Sequence, residues 1–295
     1  MAETSLKWKS FKGLNNRQRQ EELKPAELAV ARNVDIDDAG RVTRRDGCDD
    51  IATLTGDYHS LWSPEDESIC LAVKGGSLYR IWENDTATLL RANVGDSTMA
   101  YVAVNGTVYY TNGVVIGYIE DGTDKAFTDP GVTFKISPPP GQIIRHFNGR
   151  LYIAKGPVLW FTDAMAFGRV DTRTGFKQFP SDIRTIRPVD GGLFISDADE
   201  TFFMSGPSPD KASLKTVGKA AITGSDLSIQ GRLFSKEIQG SVAFFTTEDG
   251  ICMGMSDGTV ISMTSSTYKL PSAKRGAIFV REETDRLQLV TRLYN

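Results

Sequence analysis

Two histidines, His59 and His146, are all that this 295-residue sequence offers for titration near neutral pH. Histidine is the side chain whose ordinary pKa lies there, so proton transfer would be its natural chemistry. Neither has a carboxylate or thiol at metal-ligand spacing. His146 falls inside Ile143-Ile144-Arg145-His146-Phe147, a run that reads as strand. Asn33, Asp35 and Asp37 sit at alternate positions, like the first three oxygen ligands of a calcium loop. Where that loop needs a glycine the sequence has Asp38, and where it needs a glutamate it has Arg44, so a solvated turn is the expectation. Asp197, Asp199 and Glu200, or Glu282 and Glu283, would supply the two carboxyls of glycoside hydrolysis. Both clusters lie between strand-like runs, where acidic turns are routine. There is no Gly-x-Ser-x-Gly, Cys-x-x-Cys, His-Glu-x-x-His or phosphate-cradling glycine loop. The residue types therefore predict no enzyme, no metal site and no cofactor.

Composition narrows the classes further. The chain carries 34 basic and 37 acidic residues for a formal charge of −3, which argues against a dedicated nucleic-acid binder. Its 40% apolar and 24% charged residues are ordinary for a folded protein. Cys48, Cys70 and Cys252 are odd in number and widely spaced, so reduced thiols are expected rather than a disulfide framework. The first residues lack the apolar stretch of a secretory signal. No apolar run approaches the ~18 residues of a membrane span, which predicts no membrane insertion and folding in a cytoplasm.

Two kinds of element have to position these residues. Pro25 followed by Ala-Glu-Leu-Ala-Val-Ala-Arg and then Asn33 predicts one short helix, within an N-terminal arm over residues 1–39. From Gly40 to residue 295, short β-branched and aromatic runs alternate with Gly, Asn, Asp and Ser. A phrase recurs, a glycine preceded by Gly, Asn, Asp or Gln and followed by a strand: Gly75-Gly76, Asn105-Gly106, Asn148-Gly149, Gly191-Gly192, Gln230-Gly231, Asp249-Gly250 and Asp257-Gly258. Gly106, Gly149 and Gly192 follow one another at a constant step of 43 residues, and Gly231 comes 39 later. A period of ~40–50 residues with several strands per period is the signature of propeller blades. The expectation is an all-β propeller of about six blades, with a two-sheet sandwich as the rival. Closure of the ring predicts that residues 41–44 and 286–291 lie in the same or adjacent sheets. Pro138-Pro139-Pro140-Gly141 reads as a stiff connector between blades.

The arm is locally basic and aromatic. Trp8, Lys9 and Phe11, together with Arg41, Arg44 and Arg45, are the candidate assembly interface, because aromatics and arginine are enriched at interface cores. Acidic neighbours Asp35, Asp37, Asp38 and Asp46 offset the charge, and a solvated face is the competing expectation.

Phe11-Lys12-Gly13-Leu14-Asn15, then Asn33-Val34-Asp35, Gly40-Arg41-Val42 and Arg45-Asp46-Gly47, resembles the opening of many virion proteins of tailed bacteriophages. Asn148-Gly149-Arg150-Leu151-Tyr152 with Trp160-Phe161-Thr162-Asp163, and Arg187-Pro188-Val189-Asp190-Gly191-Gly192, are similar to their propeller-like tail hub, nozzle or DNA-stabilisation proteins. The resemblance implies a non-enzymatic tail component in the virion. Its implied partners are other tail proteins, in a ring homo-oligomer or in several copies, with passing contact with DNA and no catalytic residue. Two other readings of a propeller stand beside it: a receptor- or carbohydrate-binding module, and a glycosidase.

Overall fold

The computed structural model describes residues 10–37, 39–45, 54–283 and 286–295; Trp8, Lys9 and Cys48 lie outside them. Successive segments of the chain each fold into an up-and-down run of four antiparallel strands. The last of these runs takes a terminal hairpin on the edge of its first strand to make a six-stranded sheet. Blade 1 runs from His59–Trp62 to Ala87–Arg91, and blade 2 from Ala100–Val104 to Thr123–Lys125. Blade 3 runs from Ile143–Phe147 to Phe176–Gln178, blade 4 from Thr185–Val189 to Ser213–Lys219, and blade 5 from Ala221–Gln230 to Val260–Ser262. The architecture is a five-bladed β-propeller rather than one of about six blades. The difference comes from the ends. Residues before His59 and after Ser262 carry the strand texture of the blades but form short two-stranded pieces and a terminal hairpin, Arg275–Glu283 with Arg286–Tyr294.

Face-to-face packing of neighbouring blades makes the core. Leu71, Val73 and Leu78 of blade 1 meet Tyr101, Val108 and Tyr110 of blade 2. Val104 and Tyr109 meet Ile144, Leu151 and Ile153 of blade 3, whose Leu159 and Phe161 meet Ile186, Leu193 and Ile195 of blade 4. Val189, Phe194 and Phe203 then pack on Ala243 and Phe245 of blade 5. The second strand of blade 3 therefore sends Leu151 and Ile153 to one side and Tyr152 and Ala154 to the other. That two-sided burial is why Leu151-Tyr152-Ile153-Ala154 is continuously apolar and not alternating. Each such Leu, Ile or Phe removed from water contributes about 1.5–3 kcal/mol. The far face of blade 5, Val242, Phe244 and Met253, is covered by Ile278 and Leu289 of the terminal hairpin.

The glycine period has a structural meaning. Gly106 and Gly149 turn the chain between the first and second strands of blades 2 and 3. Each follows an asparagine that also has positive φ, which is the type I′ geometry that matches strand twist. Gly192 opens the second strand of blade 4, and Gly231 lies in the corresponding connection of blade 5. Gly76 breaks the step because it turns between the second and third strands of blade 1. Gln230-Gly231 is not a hairpin turn: Gly231–Phe234 is a single helical turn, the only α-helix among the described residues.

The helix expected after Pro25 does not form. Pro25 and Ala26 occupy the centre of a turn, Ala26 with φ +75°, and the Glu27 N–H donates to the Lys24 carbonyl at 3.0 Å. Glu27–Leu28 then pairs in parallel with Gly13–Leu14. A seven-residue helix without a packing face is marginal in water, and strand pairing satisfies the same backbone groups. In the arm the only helical residues described are one 3-10 turn, Gln20–Glu22.

Candidate functional site

Of the predicted interface residues, Arg41 and Arg45 are held by neighbouring acids. Asp37 accepts from the Arg41 backbone N–H at 2.7 Å and from Arg41 Nε at 2.6 Å, and these bonds hold its carboxyl below the usual range. Asp35 accepts from Arg45 Nε and Nη2 at 3.0 Å each. Half-buried Phe11 gives its N–H to the Gly40 carbonyl at 2.7 Å, and Arg44 is exposed on strand Val42–Arg44. The carboxylates that suggested a calcium loop are thus engaged by arginines. Asp35 also reaches Arg281 Nη1 of the terminal hairpin at 3.4 Å, and Asn16 exchanges hydrogen bonds with the backbone of Lys269 at 2.9 and 2.7 Å. Both chain ends therefore meet on one flank. The sheet of Val42–Arg44 and the sheet of Arg286–Tyr294 are linked by the Asp35–Arg281 ion pair.

The other candidates are structural in their surroundings. Tertiary structure brings Asp96 to 3.1 Å from His59 Nε2, a partner that spacing alone did not suggest. His146 stacks edge-on against Phe167, and burial pushes its pKa down. Buried Asp197 accepts the N–H groups of Asp199 and Glu200 at 2.9 Å each, which closes a turn instead of facing a second carboxyl. Burial raises the thiols of Cys70 and Cys252, so neither is an activated nucleophile. Among the described residues no group of His, Cys, Asp or Glu is arranged to hold a metal.

A charged cluster that residue-type reasoning passed over lies where first strands of adjacent blades touch one another. Arg145 is the central residue of Ile143–Phe147, and Arg187 holds the same place in Thr185–Val189 of the next blade. Both turn towards Asp226 of blade 5, whose side chain is only 4% exposed. Arg187 Nε donates to Asp226 Oδ2 at 2.5 Å, and its Nη2 donates to the Asp226 carbonyl. Arg145 Nη1 donates to its neighbour Ile144 at 2.7 Å, while its Nη2 stands 3.7 Å from Asp226 Oδ2. Arg145 Nε is sealed from solvent without a hydrogen-bond partner. Burial, reinforced by the charge of Arg187, pushes the Arg145 pKa down to about 9. The available signal was an arginine recurring at the centre of two mainly apolar strands.

Radial four-stranded sheets, first strands meeting at a charged centre, and chain ends joined on one flank define a β-propeller. No family model and no curated protein matches the chain. Among solved structures, the N-terminal domain of Nup159 is similar over 81% of this chain and 76% of its own, with TM-score 0.51 and 12% identity. The AfRom2 CNH domain covers 89% of this chain and 94% of its own at TM-score 0.46 and 11% identity. A gluconolactonase from Xanthomonas campestris covers 77% and 80% at TM-score 0.45 and 10% identity. None of these three is a phage protein, and at such identities the likeness is one of fold alone.

Proposed function

We propose that this chain is a non-enzymatic structural subunit of a tailed-bacteriophage tail, a propeller that binds neighbouring tail proteins through the flank where its ends meet. The observation that carries this reading is the construction of that flank. The terminal hairpin extends the sheet of blade 5, is tied to the arm by Asp35–Arg281, and presents large apolar side chains to solvent. Phe279 of the hairpin is 52% exposed and Tyr294 43%, and Val42 of the arm's hairpin is 39% exposed. Exposed aromatic groups on the same elements as arginines are residue types that assembly surfaces favour. The motifs that resemble tail hub and nozzle proteins supply the kind of assembly; the near-neutral charge suits a wall past which DNA has to slide.

Mass spectrometry of purified virions is the test. The reading expects the chain in particles at several copies, with incorporation reduced by the double change Phe279→Ser and Tyr294→Ser while the isolated protein still folds. Its absence from particles would end the reading.

A further inference from the structure

We propose that the junction of Arg145, Arg187 and Asp226 is a binding site for a small inorganic oxyanion of the phosphate class. The inference is independent of any place in a tail and starts from a charge count. Three first strands bring together two guanidinium groups and one carboxylate, leaving one positive charge over where the arginine side chains are 17% and 20% exposed and the Asp226 side chain 4%. An arginine does not shed this charge at neutral pH, even with its pKa lowered to about 9. A largely buried charge that has to share its one carboxylate with a second arginine is only partly offset.

The donor count points the same way. Arg187 spends its Nε and Nη2 on Asp226. Arg145 makes one hydrogen bond, to a backbone carbonyl, and its Nη2 is beyond hydrogen-bond reach of Asp226. Its Nε–H, sealed from water, has no acceptor at all. Buried N–H donors are satisfied in the great majority of proteins, so an orphaned one beside surplus positive charge marks a place where an acceptor belongs. The missing acceptor should be anionic and carry more than one oxygen. A guanidinium presents Nε–H and Nη–H as a planar fork, which matches two oxygens of one oxyanion and is poorly matched by a spherical ion. Asp226 serves Arg187 as such a partner, and the oxyanion would do the same for Arg145.

The experiment is a thermal-unfolding titration at constant ionic strength, with inorganic phosphate replacing chloride in a zwitterionic buffer. Wild-type protein should show a saturable rise of a few degrees in Tm with phosphate. Arg145→Met keeps the length and apolar stem of the side chain and leaves Arg187 and Asp226 as a balanced pair. That variant should fold and lose the phosphate response. Equal responses in the two proteins would overturn the proposal. Should Arg145→Met fail to fold, crystals of the wild-type protein soaked in selenate provide the second arm. An anomalous peak within hydrogen-bond reach of Arg145 Nε supports the site; no peak there overturns it.

Discussion

Asp226 is the counter-charge for arginines from two other blades, and its removal separates buried from surface electrostatics. Asp226→Asn leaves both guanidiniums desolvated without a carboxylate. Breaking a buried pair in this way costs about 3–5 kcal/mol, which a shift in the urea midpoint at unchanged slope would report. Arg45→Ala breaks a 3.0 Å ion pair on the arm, but with an arginine side chain that is 49% exposed. Water and entropy offset most of that interaction, and the same measurement should move by less than about 1 kcal/mol. Thr111 is a third case. Its hydroxyl accepts the Gly141 N–H at 3.0 Å and lies 2.9 Å from the Val115 carbonyl, clipping the start of blade 3 to blade 2. Ser60 does the same for Met99 between blades 1 and 2, and Ser196 for Ala221 at the start of blade 5. Thr111→Val keeps the shape and strands a buried donor, so a loss of about 1–3 kcal/mol is expected in chemical denaturation.

At the scale of the element, two glycines that look alike in the sequence work differently. Gly106 sits at φ +79° with open space where a side chain would go, so Gly106→Ala costs only backbone strain, about 1–2 kcal/mol. Gly141 has no unusual φ, yet a Cβ there would stand 2.2 Å from the Ala154 carbonyl oxygen. Gly141→Ala must push the chain that enters blade 3 off the backbone of that blade's second strand, and thermal melts should rank it as the more damaging of the two. The arm illustrates the opposite lesson about local reading. Its Pro-Ala-Glu-Leu-Ala-Val-Ala-Arg run has good helix formers, but helix propensity is a weak prior over seven residues. A long-range partner, Gly13–Leu14, was available and decided the outcome.

The terminal hairpin belongs to the whole molecule. Val242, Phe244 and Met253 are at most 4% exposed because Ile278 and Leu289 cover them. Removal of residues 271–295 should therefore lower Tm and raise binding of a hydrophobic dye, where loss of a mere tail would change neither. Acid stability is also collective. Asp171 is held far below its ordinary pKa, chiefly by hydrogen bonds from Arg173, and Asp96 is held below it by His59 and the Gly76 N–H. Asp66 and Asp257 are lowered by bonds from Ser68 and Thr259. Carboxyls depressed in the folded state contribute stability that is complete above their unfolded pKa near 4 and is lost as pH falls below it. His146, depressed by burial, adds a smaller loss that begins as pH falls through about 6.5. Urea midpoints should be level from pH 8 to 7, fall slightly by pH 5 and drop steeply below 4; a midpoint that rose on acidification would contradict these assignments.

Much of this architecture was legible before any coordinate. Turn chemistry is local: an Asn-Gly pair with positive φ selects a hairpin wherever it stands. The step from Gly106 to Gly149 therefore marked the same connection in two successive blades, and Gly192, without positive φ, continues the period as the first residue of the second strand of blade 4. Strand runs with β-branched and aromatic residues made the chain all-β, and repetition made it a propeller. The number of blades was not legible, because strand-forming texture continues into the arm and the terminal hairpin, and only packing decides which strands join a four-stranded sheet. The pairing of His59 with Asp96 and the meeting of Arg145, Arg187 and Asp226 were likewise hidden. Residues from three different blades become neighbours only when the sheets assemble, and no local interaction along the chain encodes that encounter.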